Sequence, residues 1–561
     1  MKRDISELSS STYDVLIIGG GIYGSTAAWD AATRGLSVAL IDQGDFGGGT
    51  SANSLKTIHG GLRYLQQLDI LRMRESIRER RLLLQMAPHI VHPISCVMPT
   101  YGHLMKGPEI MRIGLLLNDI ISFDRNHLDD PQKRIPMGKV LSREDVLRQL
   151  PGVQQDGING AAFWTDAQMY NSERLIISCI QSAVSAGTQA ANYVRAVKYI
   201  KNNNRIQGVQ AKDLMTGNTF DIRSQVVLNM TGGWTDALLS TLGKPSSRIR
   251  LSSAMNLIVN RPLLSESAAG VRGRFEYPKP NGGTHQGYRV LFMSPWRGKT
   301  VIGTYHRPYD GQPDDLQVTE YEVESFLKEI NSAWPGDPVS RDDVTFVHKG
   351  ILPMDGIHTR TGDVILTKHY KIHDHAKEDH VEGMISVVGV KYTTARDVSE
   401  KIIYRVFKKL NRKPVPNRTR YLRVFGGDMN RFEDLLSDAQ TKLLNQFSNQ
   451  VITRLVKNYG TNYKVIIREG AAESQDVGLL PGSSEVINSE VFYAVKEEMA
   501  QHLTDVVLRR TDMGSAGYPG KETVEATVKI MADLLKWNTQ RKQEEIGELK
   551  QFYRRMGLKI S

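Results

Sequence analysis

Glycines at 19, 21 and 24 follow a short apolar run, residues 13–18, in the pattern G-x-G-x-x-G, and Asp42 ends a second apolar run eighteen residues past Gly24. Residues of these types at this spacing hold a dinucleotide. Gly19 allows a tight turn, Gly21 lets the backbone reach a pyrophosphate, and Gly24 lets a helix lie close on a strand. The N–H groups at the helix start meet the phosphates. Asp42 is placed to accept hydrogen bonds from an adenosine ribose. A lone glycine pattern also fits an ordinary turn, but here the whole order of strand, turn, helix, strand and acid is present. On these residues alone FAD and NAD are both open.

The elements that must present these groups are legible. Residues 13–18 form a buried strand, because the apolar run stops abruptly at glycine. Residues 25–33, rich in small side chains, form a helix that Gly35 ends, and residues 36–41 form the next strand. Residues 42–65 then read D-Q-G-D-F-G-G-G-T-S-A-N-S-L-K-T-I-H-G-G-L-R-Y-L. Their Gly/Ser-rich part is suited to bringing backbone N–H groups against a pyrophosphate.

This stretch resembles the FAD-dependent glycerol-3-phosphate dehydrogenase family, whose pattern here is close to T-S-S-x-S-S-K-x-I-H-G-G-L-R-Y-L. Similar matches occur at 85–89 (Q-M-A-P-H), 111–115 (M-R-I-G-L), 226–234 (V-V-L-N-M-T-G-G-W), 386–396 (S-V-V-G-V-K-Y-T-T-A-R), 497–500 (E-E-M-A) and 509–511 (R-R-T). The resemblance implies an α/β fold: an FAD-binding Rossmann-like domain, an interleaved antiparallel-sheet substrate domain and a helical C-terminal domain. The expected boundaries are 1–410 for the FAD-binding body, with about 1–90, 160–235 and 350–410 for FAD and about 91–159 and 236–349 for the substrate cap. A linker at 413–416 leads into a helical domain at 415–561, where Val524, Val528, Met531 and Leu535 share one helix face.

The resemblance also implies roles. The cofactor set is Gly19, Gly21, Ile22, Tyr23, Gly24, Asp42, Gln43, Thr50, Ser51, Ser54, Lys56, His59, Gly60, Gly61, Thr231, Gly232, Trp234, Gly389, Lys391, Tyr392, Thr393 and Thr394. Arg63 reaches the substrate phosphate, with Tyr64, Lys368 and Lys391 beside it. Hydride transfer from a secondary alcohol needs an anchor for the substrate's charge and a base for its hydroxyl proton. Arg63 and Lys391 supply the anchor, and His59 or His306 the base. The implied reaction converts sn-glycerol 3-phosphate to dihydroxyacetone phosphate, with a quinone as acceptor and oxygen as its rival. The alternatives are a dehydrogenase or oxidase of another small hydroxy acid, polyol derivative or amine, and a flavin-binding protein without turnover.

The substrate half departs from the family. Its I-K-G-x-H becomes S-S-A-M-N at 252–256, so Ser253 replaces the lysine and Asn256 the histidine. His306 stands in place of an aspartate, Leu352 in place of a phosphate-binding arginine, and Lys368 in place of another arginine. A lost charge-assisted hydrogen bond costs about 1.5–3 kcal/mol. Losing two would weaken phosphate binding roughly a hundredfold or more unless a neighbour such as His306 or Arg307 compensates.

Composition narrows the partners. With 24% charged and 40% hydrophobic residues the chain reads as globular rather than disordered. Cys96 and Cys179 lie in no metal-binding or disulfide pattern, so two core thiols and no metal are expected. No signal peptide or membrane span is legible, the most apolar stretch, 113–121, being broken by Asn118 and Asp119. The net charge of +11 suits an anionic substrate or an anionic membrane face, while its scattered distribution speaks against nucleic acid. A cytoplasmic protein is expected, with peripheral contact to the inner face of the membrane and a homodimer as open possibilities.

Overall fold

The apolar run at 13–18 forms the strand Thr12–Ile18, buried at every position after Thr12. It lies inside a sheet ordered Lys371–Asp374, Met384–Val388, Thr219–Asn229, Thr12–Ile18, Val38–Ile41, Gln189–Ala191. The last five strands are parallel, as helical crossovers require, while Lys371–Asp374 runs antiparallel at one edge. An antiparallel hairpin, Val194–Asn202 and Arg205–Asp213, extends from Thr219–Asn229. Helices Ile22–Thr33, Ser172–Ser185 and Ala395–Lys409 pack together, and their apolar faces share a core with the sheet. The small residues Ala27, Ala28, Ala31 and Ala32 are what let Ile22–Thr33 approach this closely.

A computed structural model describes every residue except 105–106, 244–248, 279–281, 360, 390, 474–476 and 561, with backbone alone at 66, 277–278, 285 and 473. Val390, inside one of the family-like motifs, is therefore outside the described residues.

The second sheet runs Val364–Leu366, Val344–Ile357, Arg250–Val259, Lys299–Tyr309, Thr284–Trp296, Ala268–Pro278, Val91–Tyr101, Ile158–Met169, Thr57–Ile58. It is antiparallel except where Ala268–Pro278 meets Val91–Tyr101. Strands Ile158–Met169 and Val344–Ile357 lie here, so the chain changes sheets at other points than the sequence boundaries suggest. Helix Glu320–Ala333, opened by a Thr319/Glu322 capping box, covers one face.

Beyond residue 430 the described chain is helical: Phe432–Leu443, Asn449–Tyr459, Tyr463–Glu473, Asn488–Glu497, Lys521–Leu535 and Thr539–Arg555. Val524, Val528 and Met531 are buried on one face, as the periodicity predicts, and join the core of the second sheet. Cys96 and Cys179 are free and fully buried. Among the described residues no helix is long and apolar enough to cross a membrane.

Candidate active site

The dinucleotide cradle is built from close backbone approaches. Gly19 has φ +106°, and a β-carbon there would sit 2.6 Å from the Met230 carbonyl oxygen. A β-carbon at Gly24 would run into the Gly19 carbonyl. Helix Ile22–Thr33 starts at Gly21 without a side-chain cap of its own. The Ile22 N–H donates to Ser51 Oγ at 3.1 Å, and the remaining first-turn donors suit a phosphate. Asp42 accepts from the N–H groups of Gly20 (2.6 Å) and Gly44 (2.9 Å), and keeps lone pairs for a ribose. Burial lifts its carboxyl to about 6 against these hydrogen bonds.

The other expected cofactor residues gather around this helix start. Tyr23 donates its hydroxyl to the Lys391 carbonyl (3.0 Å), and its ring fills the space a side chain at Gly389 would need. Thr393 and Thr394 are buried at the uncapped start of Ala395–Lys409, and Tyr392 donates to the Ser172 carbonyl at 2.9 Å. Thr231 donates to Asn229 (2.7 Å), Gly232 takes φ +58°, and Trp234, packed by Gly49, donates to Asp314 at 2.9 Å. Thr50 exchanges hydrogen bonds with Ile351 (2.8 and 3.0 Å), sewing the loop to the second sheet. Gln43 is half-buried beside Asp42, and Ser54 accepts from the Lys56 N–H at 3.3 Å. Open helix starts and glycine-lined approaches fit the pyrophosphate of FAD.

Lys56 behaves differently from the expectation of a cofactor contact. Its fully buried ammonium is taken up by Glu173 (3.0 Å to both oxygens), Ser172 (2.8 Å) and the Ala52 carbonyl (2.7 Å). It pins the loop from behind rather than offering a free charge.

His59 is 45% exposed, and its Nδ1 lies 3.1 Å from Asp166. Asp166 also receives the Gly60 N–H (2.7 Å), Arg80 (2.5 Å) and the Trp164 indole (3.1 Å). Burial would raise this carboxyl, but the His59 bond, the Arg80 charge and the Gly60 N–H outweigh burial and hold it well below the usual range. An ionised Asp166 keeps the proton on Nδ1 and leaves Nε2 as the acceptor. Gly61, at φ +89°, turns the chain into the 3-10 segment Leu62–Gln67.

That segment carries Arg63 and Tyr64. Arg63 is exposed, and among the described residues it has no hydrogen-bond or ion-pair partner. The Tyr64 ring is flanked by Lys391 (4.1 Å) and Arg72 (4.3 Å). Burial, with Arg72 adding its charge, pushes the Lys391 ammonium down to about 7. Lys368 is exposed just beyond strand Val364–Leu366. Arg72 escaped the sequence reading; its only signal there was membership of an arginine-rich helix.

The departures from the family pattern sort onto two faces of one sheet. Ala254 pairs with His306 and Gly350, and Ser252 with Leu352. Alternation places Asn256, His306 and Leu352 on the face that meets the flavin loop, where Gly350 abuts Thr50 and Asn256 donates to the Asn53 carbonyl at 3.1 Å. Ser253 falls on the opposite face with Arg307, whose Nε donates to Tyr305 (2.9 Å), so Arg307 is not turned toward that loop. The His306 imidazole is pushed down to about 3 by burial, then by Arg289 and Arg63. So weak a base suits proton abstraction poorly.

The C-terminal helices reach into the same loop. Asp45 is buried between Arg510 (2.7 Å to each oxygen) and Arg509 (2.6 Å), 465 and 464 residues away. Arg174 pairs likewise with Glu498 at 2.7 and 2.8 Å. The R-R-T motif is thus a clasp on the dinucleotide loop, while the E-E-M-A motif ties helix Ser172–Ser185 to the C-terminal helices. One cluster of metal-binding types, His502 with Glu545 and Glu548, occurs among the described residues, but Arg541 already contacts His502 (3.1 Å) and Glu545 (2.5 Å).

A parallel sheet with its glycine turn at the helix start, joined to an antiparallel cap, is the architecture of a dinucleotide-binding oxidoreductase. Residues 14–387 match the family model described as FAD dependent oxidoreductase, and residues 417–542 that of the C-terminal domain of alpha-glycerophosphate oxidase. A glycerol-3-phosphate dehydrogenase of Synechocystis sp. is 32% identical over 525 residues, 91% of this chain and 90% of its own. The mitochondrial glycerol-3-phosphate dehydrogenase of Homo sapiens is 30% identical, covering 98% of this chain and 74% of the human one. The structure of the Bacillus halodurans glycerol-3-phosphate dehydrogenase complexed with FAD has the same fold, with a TM-score of 0.73 at 24% identity over 99% of this chain and 98% of that one. The chain belongs to the FAD-dependent glycerol-3-phosphate dehydrogenase family, and FAD is its cofactor.

Proposed function

We propose that the protein oxidises sn-glycerol 3-phosphate to dihydroxyacetone phosphate. The observation that carries this is the group of cations at Tyr64: Arg63, without a partner among the described residues, with Lys391 and Arg72 against the ring, beside the His59–Asp166 pair. Arg63 and Lys391 bind the phosphate, and Arg72 adds positive potential beside them. His59, held by Asp166, takes the hydroxyl proton on Nε2. Asp166 stabilises the resulting imidazolium, and Phe292, edge-on at 5.1 Å, limits where the ring can turn. When bound, FAD would supply the hydride acceptor, and a quinone is the proposed final acceptor of the electrons.

A quinone acceptor and peripheral membrane association are supported by the surface beside this site. Helix Pro108–Ile121 leaves Ile113, Leu116, Leu117 and Ile120 exposed, followed by Phe123, and it packs on the segment that carries Arg63. Leu68 and Leu71 extend the apolar area. Patches of this kind mark interaction surfaces.

Anaerobic mixing of the FAD-loaded protein with a panel of alcohols and amines tests the substrate. Bleaching of the flavin by sn-glycerol 3-phosphate is expected. Bleaching only by a different alcohol, hydroxy acid or amine, or by none, overturns the proposal.

A further inference from the structure

A second arginine-lined cavity lies outside the site just described. It has a volume of about 410 Å³ and sits between helix Ile70–Met86 and the segment 420–423. Arg78, Arg81, Arg420 and Arg423 line it with His127, against one lining carboxylate, Asp129. Tyr421, 85% exposed, belongs to the lining as well.

Three of the arginines are braced by carboxylates outside the lining, while Arg423 also pairs with Asp129 of the lining at 3.6 Å. Glu79 takes Nε of Arg78 (3.2 Å), and Asp397 takes its Nη2. Asp124 takes Nη1 of Arg81 at 3.0 Å, and Glu400 takes Nε and Nη2 of Arg420 at 3.0 and 2.6 Å. The Met429 carbonyl takes Nη1 of Arg423. A guanidinium carries five N–H donors. Among the described residues Nη1 of Arg78, Nη1 of Arg420 and Nη2 of Arg81 make no hydrogen bond, and Nε of Arg81 is buried without a partner. Planar forks held in place by outlying carboxylates, with spare donors beside an open volume, are suited to phosphate oxygens. The volume is that of a small-molecule site, which exceeds a bare phosphate and leaves room for an organic ester.

We propose that this cleft binds a phosphate ester. It is separate from the substrate anchor: along helix Ile70–Met86, Arg78 and Arg81 stand six and nine residues past Arg72, rises of roughly 9 and 13 Å. Two sources share the chemistry. One is a soluble phosphorylated metabolite. The other is the headgroup of an anionic phospholipid, since the exposed apolar face ends at Phe123 and the next residue, Asp124, is the brace of Arg81.

The test uses FAD-loaded protein carrying Arg63→Ala with Lys391→Met, so that both phosphate ligands of the substrate anchor are removed and the result does not depend on the glycerol 3-phosphate assignment. Inorganic pyrophosphate is titrated by calorimetry. In parallel, co-sedimentation compares phosphatidylcholine vesicles with vesicles that also contain phosphatidylglycerol. Saturable pyrophosphate binding, weakened about tenfold or more by Arg81→Gln and by Arg423→Gln, supports a soluble ligand. A phosphatidylglycerol preference without pyrophosphate binding, lost in the same variants, supports the headgroup. Arg423, at 24% side-chain exposure, is the replacement least able to disturb folding, and an unchanged flavin spectrum checks both variants. The proposal falls if pyrophosphate does not bind and phosphatidylglycerol gives no preference. It falls equally if both variants bind as the parent does.

Discussion

Asp166 shows what a single residue adds that a motif does not. The H-G-G-L-R-Y stretch was legible as a flavin and substrate segment, but the carboxylate that orients its histidine lies 107 residues away, on a strand with no recognisable pattern. Only folding brings them together. Replacing Asp166 with Asn removes the charge opposite Nδ1, and flavin reduction is expected to slow roughly a hundredfold with FAD still bound. Stopped-flow reduction measures this, and an unchanged rate would remove His59 from the base role. Lys391 carries a second prediction. Its ammonium in the free protein is pushed down to about 7, so it is a cation below that pH and neutral above. For an anionic substrate kcat/KM should therefore fall as pH rises past about 7, and Lys391→Met should abolish that limb while lowering the plateau. A limb that survives the substitution would assign it elsewhere. The substituted positions were legible as departures, but their orientation was not: pleating turned Asn256, His306 and Leu352 toward the loop and Ser253 away.

At the scale of elements, the glycine turn, its helix and the strands around it follow from local chemistry, and so were readable. So was the helix at Lys521–Leu535, whose apolar residues recur at helical spacing. The clasp was not readable, because an aspartate in a loop and two arginines near the other end carry no mutual signal. Burial would raise the Asp45 carboxyl, but Arg510 and Arg509 overcome burial and hold it well below the usual range. A depressed carboxyl stabilises the fold above its unfolded value, near 4, and that contribution is lost as pH falls through the folded value. Asp45→Asn leaves the buried Arg510 without its carboxylate, while Arg509 keeps Asp505 at 2.7 Å, and is expected to cost about 3–5 kcal/mol at neutral pH. Thermal unfolding should show a clearly lower midpoint, accompanied by weaker FAD retention. A variant melting with the parent would mean that the clasp contributes little.

The whole molecule joins two interleaved sheets and a helical region through shared cores, so its boundaries are not points in the sequence. The stretch 113–121 reads as an interrupted apolar run; folded, it becomes a helix with one face in contact with the chain and the other bare. Charging that face by Leu116→Glu with Ile120→Glu is expected to abolish co-sedimentation with lipid vesicles while leaving reduction of a soluble dye intact. Equal sedimentation of parent and variant would detach the membrane from this surface. The clasp also has a consequence in time. The loop holding Asp45 leaves the ribosome ahead of Arg510, which follows 465 residues later, roughly half a minute to a minute and a half at ordinary synthesis rates. Until then an uncompensated carboxylate sits in the loop that must close on the dinucleotide. Tight cofactor uptake thus waits on synthesis of the arginine pair, and a message cut short before that pair would yield a chain that loses its flavin.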